Sequence, residues 1–126
     1  MATESISKKI LIVDDDKAIT TMVSSLLTGH GYVVLIAHDG LEGMLQVRQN
    51  TPDLILLDIM MPEINGYDVC SNLKFDERFK KIPIIVMTSR EREIDARIGQ
   101  LMGIDYLQKP LDSKILLEKI QKILKQ

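Results

Sequence analysis

The stretch DLILLDIMMPEING, residues 53–66, sets an unbroken apolar run, Leu54 to Leu57, against one acid, Asp58, before Met-Met-Pro. A short continuous apolar run of this kind reads as a strand covered on both faces, as in a parallel sheet. Closing such a strand on a carboxylate puts a charge beside a low-dielectric core, where an unpartnered ion is expensive. Asp58 is therefore either a turn former, a common role for Asp where strands stop, or one member of a site. Other acids in the chain decide between the two.

Working outward, the same kind of run recurs at KILIV (9–13), YVVLIA (32–37) and IPIIVMT (82–88), with a weaker one at DYLQK (105–109). Amphipathic stretches lie between them. Ile19, Met22, Val23, Leu26 and Leu27 share one helical face, with Gly29 and Gly31 as stop signals. Leu41, Met44, Leu45 and Val47 mark a second helix that ends before Pro52. A third runs from Tyr67 to Phe75, a fourth from Ile94 to Met102, and a fifth from Leu111 to Leu124 with Leu116, Ile120, Ile123 and Leu124 inward. Strands alternating with helices in this way predict an α/β domain, a doubly wound five-stranded parallel sheet with five flanking helices and right-handed crossovers. The expected domain is 1–126, with its core at about 8–124.

Bulk properties narrow the class. The 126 residues suit one domain with a sizeable core, and 45% hydrophobic with 27% charged residues is ordinary for a globular chain. A net charge of −2 suggests neither a nucleic-acid surface nor a polybasic membrane anchor. No apolar run approaches the roughly 18 residues of a membrane span. Cys70 is the single cysteine and has no internal disulfide partner, so a reducing, cytoplasmic setting is the default.

In open parallel sheets ligands bind beyond the carboxyl ends of the strands. Asp14, Asp15 and Asp16 follow the first strand, Asp58 the third, Thr88 and Ser89 the fourth, and Lys109 the fifth. If the first and third strands are neighbours, several carboxylates crowd together and repel unless a cation intervenes. A hard divalent ion held by one or two carboxylates and waters is how Mg²⁺ prefers to bind. Asp16 is simply the cap of the first helix, but three caps for one helix are too many. Lys109 precedes Pro110, which favours an extended backbone and allows a cis bond. Among 16 basic residues a lysine is ordinarily solvated surface; its place on the acid rim argues for a site. Thr88 taken alone does what β-branched residues do in strands.

Together ILIVDDD (10–16), DLILLDIMMPEING (53–66), PIIVMTS (83–89) and YLQKP (106–110) resemble, in order and spacing, the receiver domain of the two-component response-regulator family, in particular its chemotaxis-regulator-like members. The D-x-x-M-P-x-x-x-G pattern from Asp58 to Gly66 is the most specific of these pieces. The resemblance spans essentially the whole chain and implies the flavodoxin-like strand order 2-1-3-4-5. It implies a phosphoacceptor at Asp58 and a Mg²⁺ site of Asp14, Asp15, Asp58 and the backbone carbonyl of Met60. Thr88 and Lys109 would contact the phosphoryl oxygens, and Tyr106 would turn into space vacated as Thr88 moves inward. Met60 and Arg90 would flank the path of the hydrolytic water and so tune dephosphorylation. Two departures stand out: Gly103-Ile104-Asp105-Tyr106 is one residue shorter than the usual loop before Lys-Pro, and Leu111 replaces a common Phe.

The function so implied is a phosphorylation-dependent switch that takes a phosphoryl group from a sensor histidine kinase or phosphotransfer protein. It would act through protein–protein contacts, with no direct nucleic-acid or membrane binding and no enzymatic activity beyond its own phosphorylation and dephosphorylation. The downstream partner would meet the fourth helical stretch, the fifth strand and the fifth helical stretch, although Lys114, Lys119, Lys122 and Lys125 also read as plain solubilising charges. Two other readings compete. A haloacid-dehalogenase-like phosphatase also ends its first strand in D-x-D, but is usually longer, and the hydroxyl or valine expected two residues later is Ala18. A pseudo-receiver, a binding module with a dead site, conflicts with the intact Asp14, Asp15, Asp58, Thr88 and Lys109. Dinucleotide binding lacks its G-x-G-x-x-G after the first strand.

Overall fold

The computed structural model of the chain describes residues 7–59, 66–88 and 105–125. In chain order it comprises β1 (Lys9–Val13), α1 (Lys17–Gly29), β2 (Val33–Ala37), α2 (Gly40–Asn50), β3 (Leu54–Asp58), α3 (Gly66–Lys74), β4 (Ile84–Thr88), β5 (Asp105–Gln108) and α4 (Ser113–Leu124). All strand pairs are parallel and the sheet order is β2-β1-β3-β4-β5. Four helices lie among the described residues; the helix expected at 94–102 falls outside them.

Strand periodicity explains the two cores. Leu11, Val13, Ile55, Leu57, Ile84 and Val86 face one side, where Val47 of α2 and Val69, Cys70 and Leu73 of α3 cover them. Ile10, Ile12, Leu54, Leu56, Ile85 and Met87 face the other, beneath Val23 and Leu27 of α1 and Leu116 and Ile120 of α4. Each central strand is thus buried on both faces, as its unbroken apolar run requires.

The helices start where short acids stand. The Asp16 carboxylate accepts from Ala18 N–H and Ile19 N–H, Asp39 from Glu42 N–H, and Asp112 from Lys114 N–H and Ile115 N–H. Two helices turn some of the apolar residues that mark them to solvent. In α2, Val47 is buried as its apolar pattern suggests, but Leu41 and Leu45 are 59% and 53% exposed, and Gly40 and Gly43 are buried in their stead. A Cβ added at Gly43 would lie 3.1 Å from Val13 Cγ2, so α2 approaches the sheet through glycine and rolls its leucines outward. In α1, Met22 is likewise exposed rather than inward.

Candidate functional site

The strand order sets the site. β1, β3, β4 and β5 lie side by side, so residues at their carboxyl ends meet along one rim. Asp14 directly follows β1, Asp58 and Thr88 close β3 and β4, and Lys109 directly follows β5. Asp14, Asp58 and Thr88 are all buried, while Asp15 is exposed. One carboxylate oxygen from each of Asp14, Asp15 and Asp58 lies within 4.8 Å of the others. Lys109 Nζ donates to Asp14 Oδ2 at 2.9 Å and stands 3.6 Å from Asp58 Oδ2.

Backbone contacts make this arrangement rigid. Lys109 N–H donates to the Thr88 carbonyl at 2.7 Å, which ties the last turn of the rim to β4. The Lys109–Pro110 bond is cis, as Lys-Pro allows. Asp14 N–H donates to the Ala37 carbonyl at 3.1 Å, and Asp14 Oδ1 accepts from Asp16 N–H at 2.9 Å. Asp16 faces outward as the α1 cap and takes no part in the cluster.

Chemically, three carboxylates share a small volume with one ammonium. Each buried ion costs several kcal/mol of lost hydration unless its charge is compensated. Hard oxygen donors, closely spaced and with one of them open to solvent, fit a hard divalent cation such as Mg²⁺ that keeps part of its water shell. Asp14, Asp15 and Asp58 are the described side chains able to hold it; Met60, whose carbonyl was also expected there, lies outside the described residues, as do Ser89 and Arg90. Tyr106 is 42% exposed, so its ring sits at the surface. Thr88 is fully buried at the end of β4.

Strand-end reasoning reaches Asp14, Asp58, Thr88 and Lys109 but passes over His38, which follows β2. Its Nδ1 lies 3.4 Å from the Asp14 carbonyl oxygen. The signal was the end of the second strand, since Val13 pairs with Ala37 and so places Asp14 beside His38. Cys70 is no candidate nucleophile: burial pushes its thiol up to about 12, the nearby Lys74 ammonium only partly opposing this.

A parallel α/β sheet in 2-1-3-4-5 order with an acid cluster and a lysine on its carboxyl rim defines the receiver class of signalling domain, and the chain belongs to it. Residues 10–121 match the family model of the response regulator receiver domain. Protein PilH of Pseudomonas aeruginosa is 38% identical over 117 residues, covering 92% of this chain and 97% of that protein. Other curated relatives are transcriptional regulators of about twice its length, such as CpxR of Klebsiella pneumoniae, 41% identical over 118 residues, of which the match covers 49% against 93% of this chain. Chemotaxis protein CheY4 of Vibrio cholerae superposes with a TM-score of 0.86 at 29% identity, covering 94% of this chain and 99% of that one. The receiver domain of a sensor histidine kinase from Pseudomonas aeruginosa superposes at 0.85 with 26% identity, covering 96% and 100%, and its structure carries a magnesium ion in the active-site cleft. The chain is a phosphorylation-dependent switch of two-component signalling, a family that works with histidine kinases or phosphotransfer proteins. Among the described residues no helix is long and apolar enough to cross a membrane.

Proposed function

We propose that Asp58 is the phosphoacceptor, with Mg²⁺ held by Asp14, Asp15, Asp58 and the Met60 carbonyl, and that Thr88, Lys109 and Tyr106 carry the response. The observation behind this is the placement of Asp58: a buried carboxylate closing β3, in reach of two further acids and 3.6 Å from the Lys109 ammonium. Phosphoryl transfer asks a protein mainly for position and charge neutralisation. An Asp58 oxygen attacks phosphorus and forms the new O–P bond, while the bond to the donor imidazole breaks and its electron pair leaves with the donor. A bound Mg²⁺ supplies positive charge against the incoming phosphoryl oxygens. Lys109 supplies the rest from the other side. Its closer contact in the resting protein is Asp14, so a phosphoryl group on Asp58 competes with Asp14 for that ammonium.

Phosphorylation adds about −1.5 to −2 of charge and three acceptor oxygens. Charged hydrogen bonds from Thr88 and Lys109, about 1.5–3 kcal/mol each, then supply several kcal/mol. Moving a population from 1:99 to 99:1 takes about 5.5 kcal/mol, which two such bonds, about 3–6 kcal/mol together, reach at the upper end of their range. The downstream face we assign to β5 and α4, together with the stretch 94–102. Exposed Tyr106 and Ile115 lie there, beside the Lys119–Asp105 ion pair at 2.7 Å. The chain acts as a cytoplasmic switch rather than an enzyme on other substrates.

The test is intact-mass analysis after incubation with Mg²⁺ and acetyl phosphate. One added phosphoryl group, lost in Asp58→Asn, is expected. Turnover of unrelated phosphoesters, or no mass change at all, overturns the reading.

A further inference from the structure

Asp14 is engaged at each of its polar groups. Its N–H donates to the Ala37 carbonyl at 3.1 Å, Oδ1 accepts from Asp16 N–H at 2.9 Å, and Oδ2 accepts from Lys109 Nζ at 2.9 Å. The carbonyl is left, and it faces His38 Nδ1 at 3.4 Å. His38 is itself held from below. Its N–H donates to Glu42 Oε1 at 3.2 Å, and Glu42 N–H donates to Asp39 Oδ1 at 2.8 Å. This is a capping arrangement in which the first-turn Glu of α2 reaches back beyond the cap residue to His38. The start of α2 therefore holds the backbone of His38, whose ring stands against the acid loop.

We infer that His38 is a positioning residue: as an Nδ1–H donor to the Asp14 carbonyl, it aims the Asp15 carboxylate at the cation site. The argument is covalent geometry. The Asp14 carbonyl and the Asp15 N–H and Cα belong to one planar peptide unit. Setting the direction of that carbonyl sets the plane, and with it the point from which the Asp15 side chain projects. Asp15 is the exposed member of the acid cluster, and among the described residues no side-chain hydrogen bond holds it, so its backbone sets its place. At 3.4 Å the contact is at the long end for a hydrogen bond, and the effect is correspondingly modest. The inference rests on the reading of the rim as a Mg²⁺ site.

Two variants separate the donor from the ring. His38→Phe keeps a ring and removes the donor; His38→Asn removes the ring and keeps a donor nitrogen on Cγ, the same number of bonds from the backbone. Mg²⁺ is titrated without phosphodonor, all variants in the same buffer. His38→Phe should raise the Kd about 3- to 10-fold, the span of one ordinary hydrogen bond, and His38→Asn should bind nearly as wild type. Amide exchange at Asp15 and Asp16, measured without Mg²⁺, should quicken in His38→Phe and return in His38→Asn. Urea midpoints taken in chelator report any general loss of stability, which rescue by Asn does not follow. Equal Mg²⁺ affinity in His38→Phe and wild type overturns the inference, and so does Asn binding as weakly as Phe. If the wild type itself binds no Mg²⁺ at millimolar concentration, the site reading fails, and exchange at Asp15 and Asp16 alone decides whether His38 holds the loop.

Discussion

The two ends of the sheet use the same residue types to opposite effect. At the amino end, Lys9 and Asp53 lock neighbouring strands together: Lys9 N–H donates to Asp53 Oδ2 at 2.7 Å, and Asp53 N–H donates to the Lys9 carbonyl at 2.8 Å. Lys9 Nζ then donates to the Asn50 carbonyl at 2.7 Å, at the end of α2. Backbone groups thus engage both charges, and Lys9 complements the negative end of a helix. At the carboxyl end, Asp14, Asp15, Asp58 and Lys109 face one another instead. An acid held by a backbone donor of the neighbouring strand is a structural lock. Acids that must share one ammonium form a site with room for another cation.

The sharpest way to break this contrast is at Asp58. Asp58→Asn keeps the shape of the side chain and removes the nucleophile, so phosphorylation by acetyl phosphate should vanish while circular dichroism stays that of the wild type. Persisting acyl-phosphate-sensitive mass increase would assign the chemistry to another acid of the rim. Next in size is Asp15→Ala. Changes even in the outer shell of a metal cost about 10–100-fold in affinity, so losing a direct carboxylate should weaken Mg²⁺ at least that much. An unchanged titration removes Asp15 from the metal's ligands.

The amino end should behave in the converse way. Asp53→Ala removes an acceptor from Lys9 N–H, and hydrogen bonds to charged groups contribute about 1.5–3 kcal/mol. The urea midpoint should fall accordingly, while the rate of phosphorylation in native buffer stays unchanged. Slower phosphorylation in a fully folded Asp53→Ala protein would mean that the two ends are coupled, and the contrast would not hold.

Most of this architecture is legible in the sequence, because period and punctuation carry it. Continuous apolar runs mark β1, β3 and β4, and Asp16 caps α1 as expected, whereas the last helix starts at Ser113 behind its Asp112 cap rather than at Leu111. The face of α2 was not legible. Hydrophobic periodicity weights Leu41 and Leu45 and gives glycine no weight, yet close packing of Gly43 on Val13 sets how the helix is rolled. At the site, residue types at strand ends pick out Asp14, Asp58, Thr88 and Lys109. The choice Lys109 makes between Asp14 at 2.9 Å and Asp58 at 3.6 Å is a matter of fractions of an ångström across distant segments, which no spacing rule encodes. His38 escaped because a histidine after an edge strand is unremarkable until its neighbour is known to be Asp14.

The smallest expected effect concerns how long the carboxyl-end site keeps its phosphoryl group. Hydrolysis needs a water in line with phosphorus, opposite the departing Asp58 oxygen. The resemblance to receiver domains implies that the side chains of Met60 and Arg90 flank that approach; both lie outside the described residues. A thioether is a weak acceptor and holds water poorly. An Arg guanidinium is long and planar enough to reach phosphoryl oxygens and obstruct the path, even if an arginine there otherwise serves only solubility. Slow self-dephosphorylation is therefore expected, giving a signal that persists unless a phosphatase partner ends it. Met60→Asn supplies a side chain able to orient the water, and one added hydrogen bond of about 1 kcal/mol should speed the loss about fivefold. The measurement is decay of the phosphorylated mass after the donor is removed, with Asp53→Ala as a control at the far end of the sheet. A wild-type lifetime of seconds, or a Met60→Asn decay no faster than wild type, assigns the limiting step to some group other than Met60.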